Sequence, residues 1–153
     1  MLRIQLWRER LLVTEKSNLF KCHKISEGKT SGEVLFSKDG ICFYLIDPES
    51  GVVIERNHSL FGKSIANKIL VFPNGTGSSV VQADGMYQLK MHNMGPKAMI
   101  VENADTTLVA SSIIMEIPLV DKVDSNFNEN VKNKDILEVN ATEGKIKLVQ
   151  KGE

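Results

Sequence analysis

The sequence predicts an α+β or α/β domain built on a mixed sheet, and three observations carry that expectation. Residues 21–56 hold short alternating runs separated by turn-rich breaks. The apolar run "NKILVFP" (67–73) gives way through a glycine-rich loop to a helical stretch. Residues 135–152, "DILEVNATEGKIKLVQKG", are two alternating runs joined by "NATEG", the pattern of a hairpin.

In chain order, "IQLWRERLLV" places Ile4, Leu6 or Trp7, Leu11 and Leu12 near one helical face, so residues 1–20 read as an N-terminal extension, helical or disordered. Residues 21–153 read as the domain proper. "FKCHKIS" (20–26) alternates as a strand does. "GEVLFSKDGICFYLIDPESGVVIERN" (32–57) reads as strand, turn, strand, turn, strand, with breaks at "SKDG" and "DPESG", whose residues tolerate turn dihedrals. "NKILVFP" is apolar throughout, as a strand buried on both faces would be. "SSVVQADGMYQLKMHN" (78–93) is expected to be a helix, which Gly85 weakens. "GPKAMIVEN" (95–103) supplies a turn and a strand, and "DTTLVASSIIMEIPLV" (105–120) a short helix or loop followed by a strand ending near Pro118.

Composition narrows the function classes. The 153 residues are 42% apolar and 25% charged, enough for one domain with a real core. Nineteen Lys and Arg balance nineteen Asp and Glu, unlike a nucleic-acid binder that relies on excess positive charge. No apolar run approaches the roughly 20 residues that span a bilayer. The opening sixteen residues mix charge with apolar side chains and lack the unbroken apolar segment of a signal peptide, so a cytoplasmic protein is expected. Two cysteines, Cys22 and Cys42, form no Cys-x-x-Cys pair and no disulfide framework.

The candidate chemistry lies in "VFPNGTGSS" (71–79). Unpaired N–H groups at a helix N-terminus, with the helix dipole, attract carboxylates and phosphates. Gly75 and Gly77 would let the backbone approach a ligand. Ser78 or Ser79 fits two uses: a helix cap, or a base or nucleophile whose alkoxide those N–H groups stabilise. Spacing alone leaves both open. The loop lacks the Gly-Lys-Ser/Thr end of a phosphate-binding P-loop, and no glycine follows Ser78 by two as in a Gly-x-Ser-x-Gly elbow. His58 follows a strand and precedes an apolar position; as a lone histidine it fits a turn or core role as well as a ligand. His23 and His92 have no partners at metal-ligand spacing.

Four motifs occur together in order: Asp47-Pro48-x-Ser50-Gly51, His58-x-Leu60-x-Gly62, Pro73-x-Gly75-x-Gly77-Ser78 and Ile117-Pro118-x-Val120. With "DILEVNATEGKIKLV" they resemble, over about residues 21–150, the small swivel-domain subunit of the aconitase X family. The resemblance implies a swivelling β/β/α domain like the mobile fourth domain of aconitase. It also implies a large partner subunit that carries a 4Fe–4S iron–sulfur cluster and most of the substrate site, with none of the cluster bound by this chain alone. The implied reaction is dehydration of a hydroxy acid. In archaeal members this is (R)-mevalonate 5-phosphate going to trans-anhydromevalonate 5-phosphate on a variant mevalonate route to isoprenoids; in others the substrate is cis-3-hydroxy-L-proline. By the same resemblance Ser78 is the general base, and Gly75, Thr76, Gly77, Ser79 and His58 bind substrate. Three positions depart from the family pattern: Thr76 stands where Arg or Lys is usual, Tyr44-Leu45 where a Gly-Gly pair is common, and Ser59 where a proline often follows the histidine. A non-catalytic regulatory or binding subunit of the same fold is the alternative these departures leave open.

Overall fold

A computed structural model describes residues 18–152. The expected helix or extension falls mostly on residues 1–17, outside the described residues; Leu19 and Phe20 already belong to the first strand.

Eight strands among the described residues form one mixed sheet: β1 (Leu19–Lys21), β2 (His23–Ser26), β3 (Lys29–Phe36), β4 (Ile69–Phe72), β5 (Ala98–Val101), β6 (Leu119–Asp121), β7 (Ile136–Asn140) and β8 (Lys145–Gln150), in the spatial order β1-β8-β7-β3-β4-β5-β6-β2. The centre, β3-β4-β5-β6, is parallel, and the flanks are antiparallel. β3 joins the two halves by dividing its length: Lys29–Glu33 pair with β7, and Val34–Phe36 pair with β4. The strands at the two ends of this order, β1 and β2, are consecutive in the chain with Cys22 alone between them. The sheet therefore curls until its ends meet at Cys22, whose N–H is held by the Gly144 carbonyl at 3.0 Å.

Period-2 alternation sorts the core into two layers. Ile69, Ala98, Ile100 and Val120 point into the curled sheet with Phe20, Phe127, Leu137, Val139 and Ile146. Leu70, Phe72, Met99, Val101 and Leu119 point the other way, against two helices, α1 (Ser79–Met91) and α2 (Thr106–Ile114). β4 and β5 are thus covered on both faces, which is why "NKILVFP" and "KAMIV" read as unbroken apolar runs. A four-residue helix, α3 (Phe127–Asn130), places Phe127 edge-on to Phe20, with ring centroids 5.3 Å apart.

Two expectations need correction. Residues 37–66 do not form two further strands. They make an irregular excursion with a 3₁₀ turn at Phe43–Leu45 and isolated bridges, among them Ile46 with Val53 and Val53 with Phe61. The backbone there is satisfied by local turns, by crossing bonds such as Val53 N–H to the Lys63 carbonyl, and by side chains such as Gln82, so no regular ladder is needed. The strand near Pro118 begins after the proline, at Leu119, rather than ending at it. The terminal hairpin forms as read, β7 and β8 turning through Ala141–Gly144.

Candidate functional site

β4 ends at Phe72, and residues 73–78 carry the chain to α1. Ser78 is the N-cap: its backbone is extended, φ −70° and ψ 157°, and its carbonyl accepts the Gln82 N–H at 2.9 Å. Its Oγ lies 3.5 Å from the Val81 nitrogen, at the limit of a hydrogen bond. Residues 76–80 are all exposed. Gly77 takes φ +93°, a conformation that costs glycine little, with Cys42 Sγ packed against its open side. Thr76 N–H points inward to the Ile41 carbonyl at 2.9 Å. The N–H groups of Gly77, Ser78, Ser79 and Val80 have no hydrogen-bond partner among the described residues. The first turn of α1 carries no acidic residue, while the Asp105 carboxylate lies beside Gly75 on the inner side of the loop.

The loop is held by contacts that sequence reasoning did not find. Ile41 runs beside it as a parallel bridge to Gly75, and its N–H donates to the Asn74 carbonyl at 3.0 Å. Gln82, buried in the first turn of α1, accepts the Phe43 N–H at 2.8 Å and donates to the Ile41 carbonyl at 2.9 Å. Gly75 makes room for that amide, since a Cβ there would lie 2.7 Å from Gln82 Nε2 and 3.0 Å from an Asp105 carboxylate oxygen. Gly85 does the same one helical turn further on, where a Cβ would meet the Tyr44 nitrogen at 2.3 Å. The one signal for these contacts was Gly85 itself, a glycine inside a helical pattern. Gln82 had no signal, because a polar residue on a helix is usually solvated.

His58 is buried beside this assembly. Its Nδ1 accepts the Leu60 N–H at 3.0 Å, so its Nε2 carries the proton and donates to the Gly40 carbonyl at 2.9 Å. Both ring nitrogens are therefore engaged by backbone. Gly40 in turn lies under Thr76: a Cβ on Gly40 would sit 2.6 Å from Thr76 Cγ2. Asp39 accepts the Ser59 N–H at 2.9 Å, and that backbone bond holds its carboxyl below the usual carboxylate range. The fold thus gathers Gly75, Thr76, Gly77, Ser78 and Ser79 at one exposed tip and places His58 behind them. Four clefts of 240–730 Å³ among the described residues are lined by residues other than Ser78.

No three His, Cys, Asp or Glu side chains converge to hold a metal ion among the described residues. The two cysteines do not make a ligand set for an iron–sulfur cluster. Cys22 packs against the interior of the curled sheet, where burial, helped by Asp124 and Asp121, pushes its thiol up to about 11. Cys42 is buried against Gly77.

This frame of a curled mixed sheet, two covering helices and a glycine-serine loop at the end of a parallel strand is that of a swivel domain. The family model for the aconitase X swivel domain matches residues 19–148, and the chain belongs to that family. Among its relatives is a phosphomevalonate dehydratase small subunit from Methanosarcina mazei, 45% identical over 135 residues, covering 88% of this chain and 93% of that one. Another, from Thermococcus kodakarensis, carries the same name and is 41% identical, covering 87% of this chain and 98% of that one. Among solved structures, the holo-form of Thermococcus kodakaraensis aconitase X superposes with a TM-score of 0.78 at 39% identity, covering 86% of this chain and 98% of that one. A UPF0107 protein solved by solution NMR gives 0.76 at 38% identity, covering 86% and 99%.

Proposed function

We propose that this chain is the small subunit of a dehydratase that removes water from a phosphorylated hydroxy acid, (R)-mevalonate 5-phosphate, to give trans-anhydromevalonate 5-phosphate. The observation that carries the reading is that relatives named phosphomevalonate dehydratase small subunit match nearly their whole length. In this reading Ser78 acts as its alkoxide, its own proton having passed to solvent; the Oγ takes the proton from the carbon beside the carboxylate and ends the step as a hydroxyl. The C–H electron pair forms the new double bond, and hydroxide leaves the neighbouring carbon. The exposure of Ser78 and its weak hold on Val81 N–H support the role: the hydroxyl is at the surface and little committed to capping. The free N–H groups of Gly77, Ser78, Ser79 and Val80 favour the alkoxide form of Ser78 and the anionic charge of the substrate. Thr76 and Ser79 offer hydroxyls to the substrate, and His58 acts through Gly40, which it anchors beneath Thr76.

A site on an exposed tip needs a second surface to exclude water. We assign that surface, and the iron–sulfur group that the family implies, to a large partner subunit. Thr76, uncharged where a cation is usual, favours a second reading in which the chain binds that partner without catalysis. Reconstitution with the large subunit and assay of phosphomevalonate dehydration decides between them. Ser78→Ala is expected to lower kcat by roughly 10²–10⁴-fold with the assembly intact. Full activity in that variant rejects the base assignment, and an inactive wild-type complex favours the second reading.

A further inference from the structure

We propose that Gln82 is a positioning residue for the Ser78 loop, an inference that rests on the reading of Ser78 given above. A primary amide that is 2% exposed needs partners, and this one takes both from a single short stretch of backbone. Its Oε1 accepts the Phe43 N–H, and its Nε2 donates to the Ile41 carbonyl. The same Ile41 carbonyl accepts the Thr76 N–H at 2.9 Å. A closed circuit results: from α1 through Gln82 to Ile41, across to Thr76, along Gly77 to Ser78, and back into α1.

Each link has a consequence for Ser78. Drawing the Thr76 N–H inward makes Gly77 the turning point, and the next four N–H groups are left without internal partners. Gly75 is fitted to the amide, since any larger residue there would strike Gln82 Nε2. If helix packing alone mattered, leucine or methionine would serve at position 82, as Met86 and Leu89 do on the same helix. The amide instead holds a peptide that in turn holds the loop. Displacement of a reacting group by about 1 Å can lower a rate 10²-fold, so a loose loop is felt at the chemistry.

Two substitutions test this in the assembled two-subunit enzyme with phosphomevalonate as substrate. Gln82→Leu removes both bonds and is expected to lower kcat by about 10–100-fold while KM changes by less than about threefold. Gln82→Glu has a more telling signature. The neutral acid keeps one acceptor for Phe43 N–H and one O–H donor for the Ile41 carbonyl, whereas the ionised form loses the donor and faces that carbonyl with like charge. Burial disfavours ionisation. The activity of Gln82→Glu is therefore expected to approach that of the parent enzyme at acid pH and fall behind it as pH rises, adding a limb to the pH–rate profile. Amide exchange on the full chain supplies a readout apart from activity. Thr76 N–H is expected to exchange at least about tenfold faster in Gln82→Leu, with Ile100 N–H in β5 unchanged. A folded Gln82→Leu with unaltered Thr76 exchange and unaltered kcat overturns the proposal, even if its melting temperature falls. Should that variant not fold, a Gln82→Glu pH profile parallel to the parent's overturns it instead. Full activity in Ser78→Ala would remove the base assignment, while Thr76 exchange would still report whether Gln82 holds the loop.

Discussion

Replacing Gly85 with alanine sets two physical effects against each other. Gly85 sits in the middle of α1, where helix propensity alone makes alanine the better residue by about 1 kcal/mol. The tertiary structure demands the reverse. A Cβ at 85 would lie 2.3 Å from the Tyr44 nitrogen and 2.4 Å from the Phe43 carbonyl carbon, both backbone atoms that no rotamer change can move aside. The 43–45 turn must shift by about an ångström, and overpacking of this kind costs about 1–3 kcal/mol. That turn is also where Gln82 accepts the Phe43 N–H at 2.8 Å. Lengthening this buried bond leaves a donor underpartnered, at about 1–3 kcal/mol more. Subtracting the propensity gain leaves a net destabilisation of about 1–5 kcal/mol. For a chain of this size that is a fall in melting temperature of roughly 2–20 °C. Thermal and urea unfolding of the full chain measure it directly. Gly62→Ala serves as the control: its φ is +80° with nothing within 4 Å, so only the left-handed strain of about 1 kcal/mol applies. A Gly85→Ala protein as stable as the parent, or more so, would refute the close approach of turn and helix and with it the support of the Ser78 loop.

Other outcomes follow from single groups. Asp135 is buried, and burial pushes its carboxyl up, but hydrogen bonds from Lys151, Gly152 and Lys132 outweigh this and hold it below 3.8. A depressed carboxylate contributes stability above its unfolded value, and that contribution is lost as pH falls through the folded value. Asp135→Asn is therefore expected to be about 2–3 kcal/mol less stable than the parent near pH 7, with the gap closing below pH 3.8, as urea unfolding against pH can check. His58→Ala strips partners from the Gly40 carbonyl and the Leu60 N–H, at about 1–3 kcal/mol for each group left buried, read by the same unfolding assay. Cys22, with its thiol raised to about 11, should be alkylated at pH 8 on the order of 100-fold more slowly than an exposed thiol, as mass spectrometry of iodoacetamide-treated protein would show. Thr76→Arg adds a cation to an exposed loop; in the reading where that loop meets the anionic substrate, it is expected to lower KM for phosphomevalonate two- to fivefold, consistent with about 0.5–1 kcal/mol for a solvent-screened charge.

The strands of the sheet were legible where each face has one job. "NKILVFP" announces burial on both sides because Leu70 and Phe72 meet the helices while Ile69 and Val71 meet the curled interior. "NATEG" announces its turn because Gly144 takes φ +67° between two alternating strands. Residues 41–56 deceived for a related reason. Their alternation reports that Ile41, Phe43, Ile46 and Val53 are buried, which is true, but burial against α1 needs no ladder partner. The backbone there is satisfied by short local bonds, Asp47 N–H to the Val52 carbonyl and Ile54 N–H to the Leu45 carbonyl, and by Gln82 and Asn74, which are distant in sequence. The same limit hid the scaffold of the site. A glycine-serine loop can be seen in a sequence; that one buried amide threads it to a neighbouring peptide depends on the fold.

The two uses of Ser78 left open by its spacing, cap and reagent, can be weighed against α2. Asp105 caps α2 with an oxygen 2.9 Å from the Leu108 N–H, the ordinary length. Ser78 stands in the same position on α1 with its oxygen 3.5 Å from Val81 N, a distance at which little bonding is left. A residue selected only to cap would be drawn in as Asp105 is. α1 does not depend on it, since Gln82 and the Gly85 notch tie the first two turns to the 41–45 segment. Such anchoring lightens the serine's capping duty, and a hydroxyl weakly held at a helix N-terminus is in the condition that the proposed proton transfer requires.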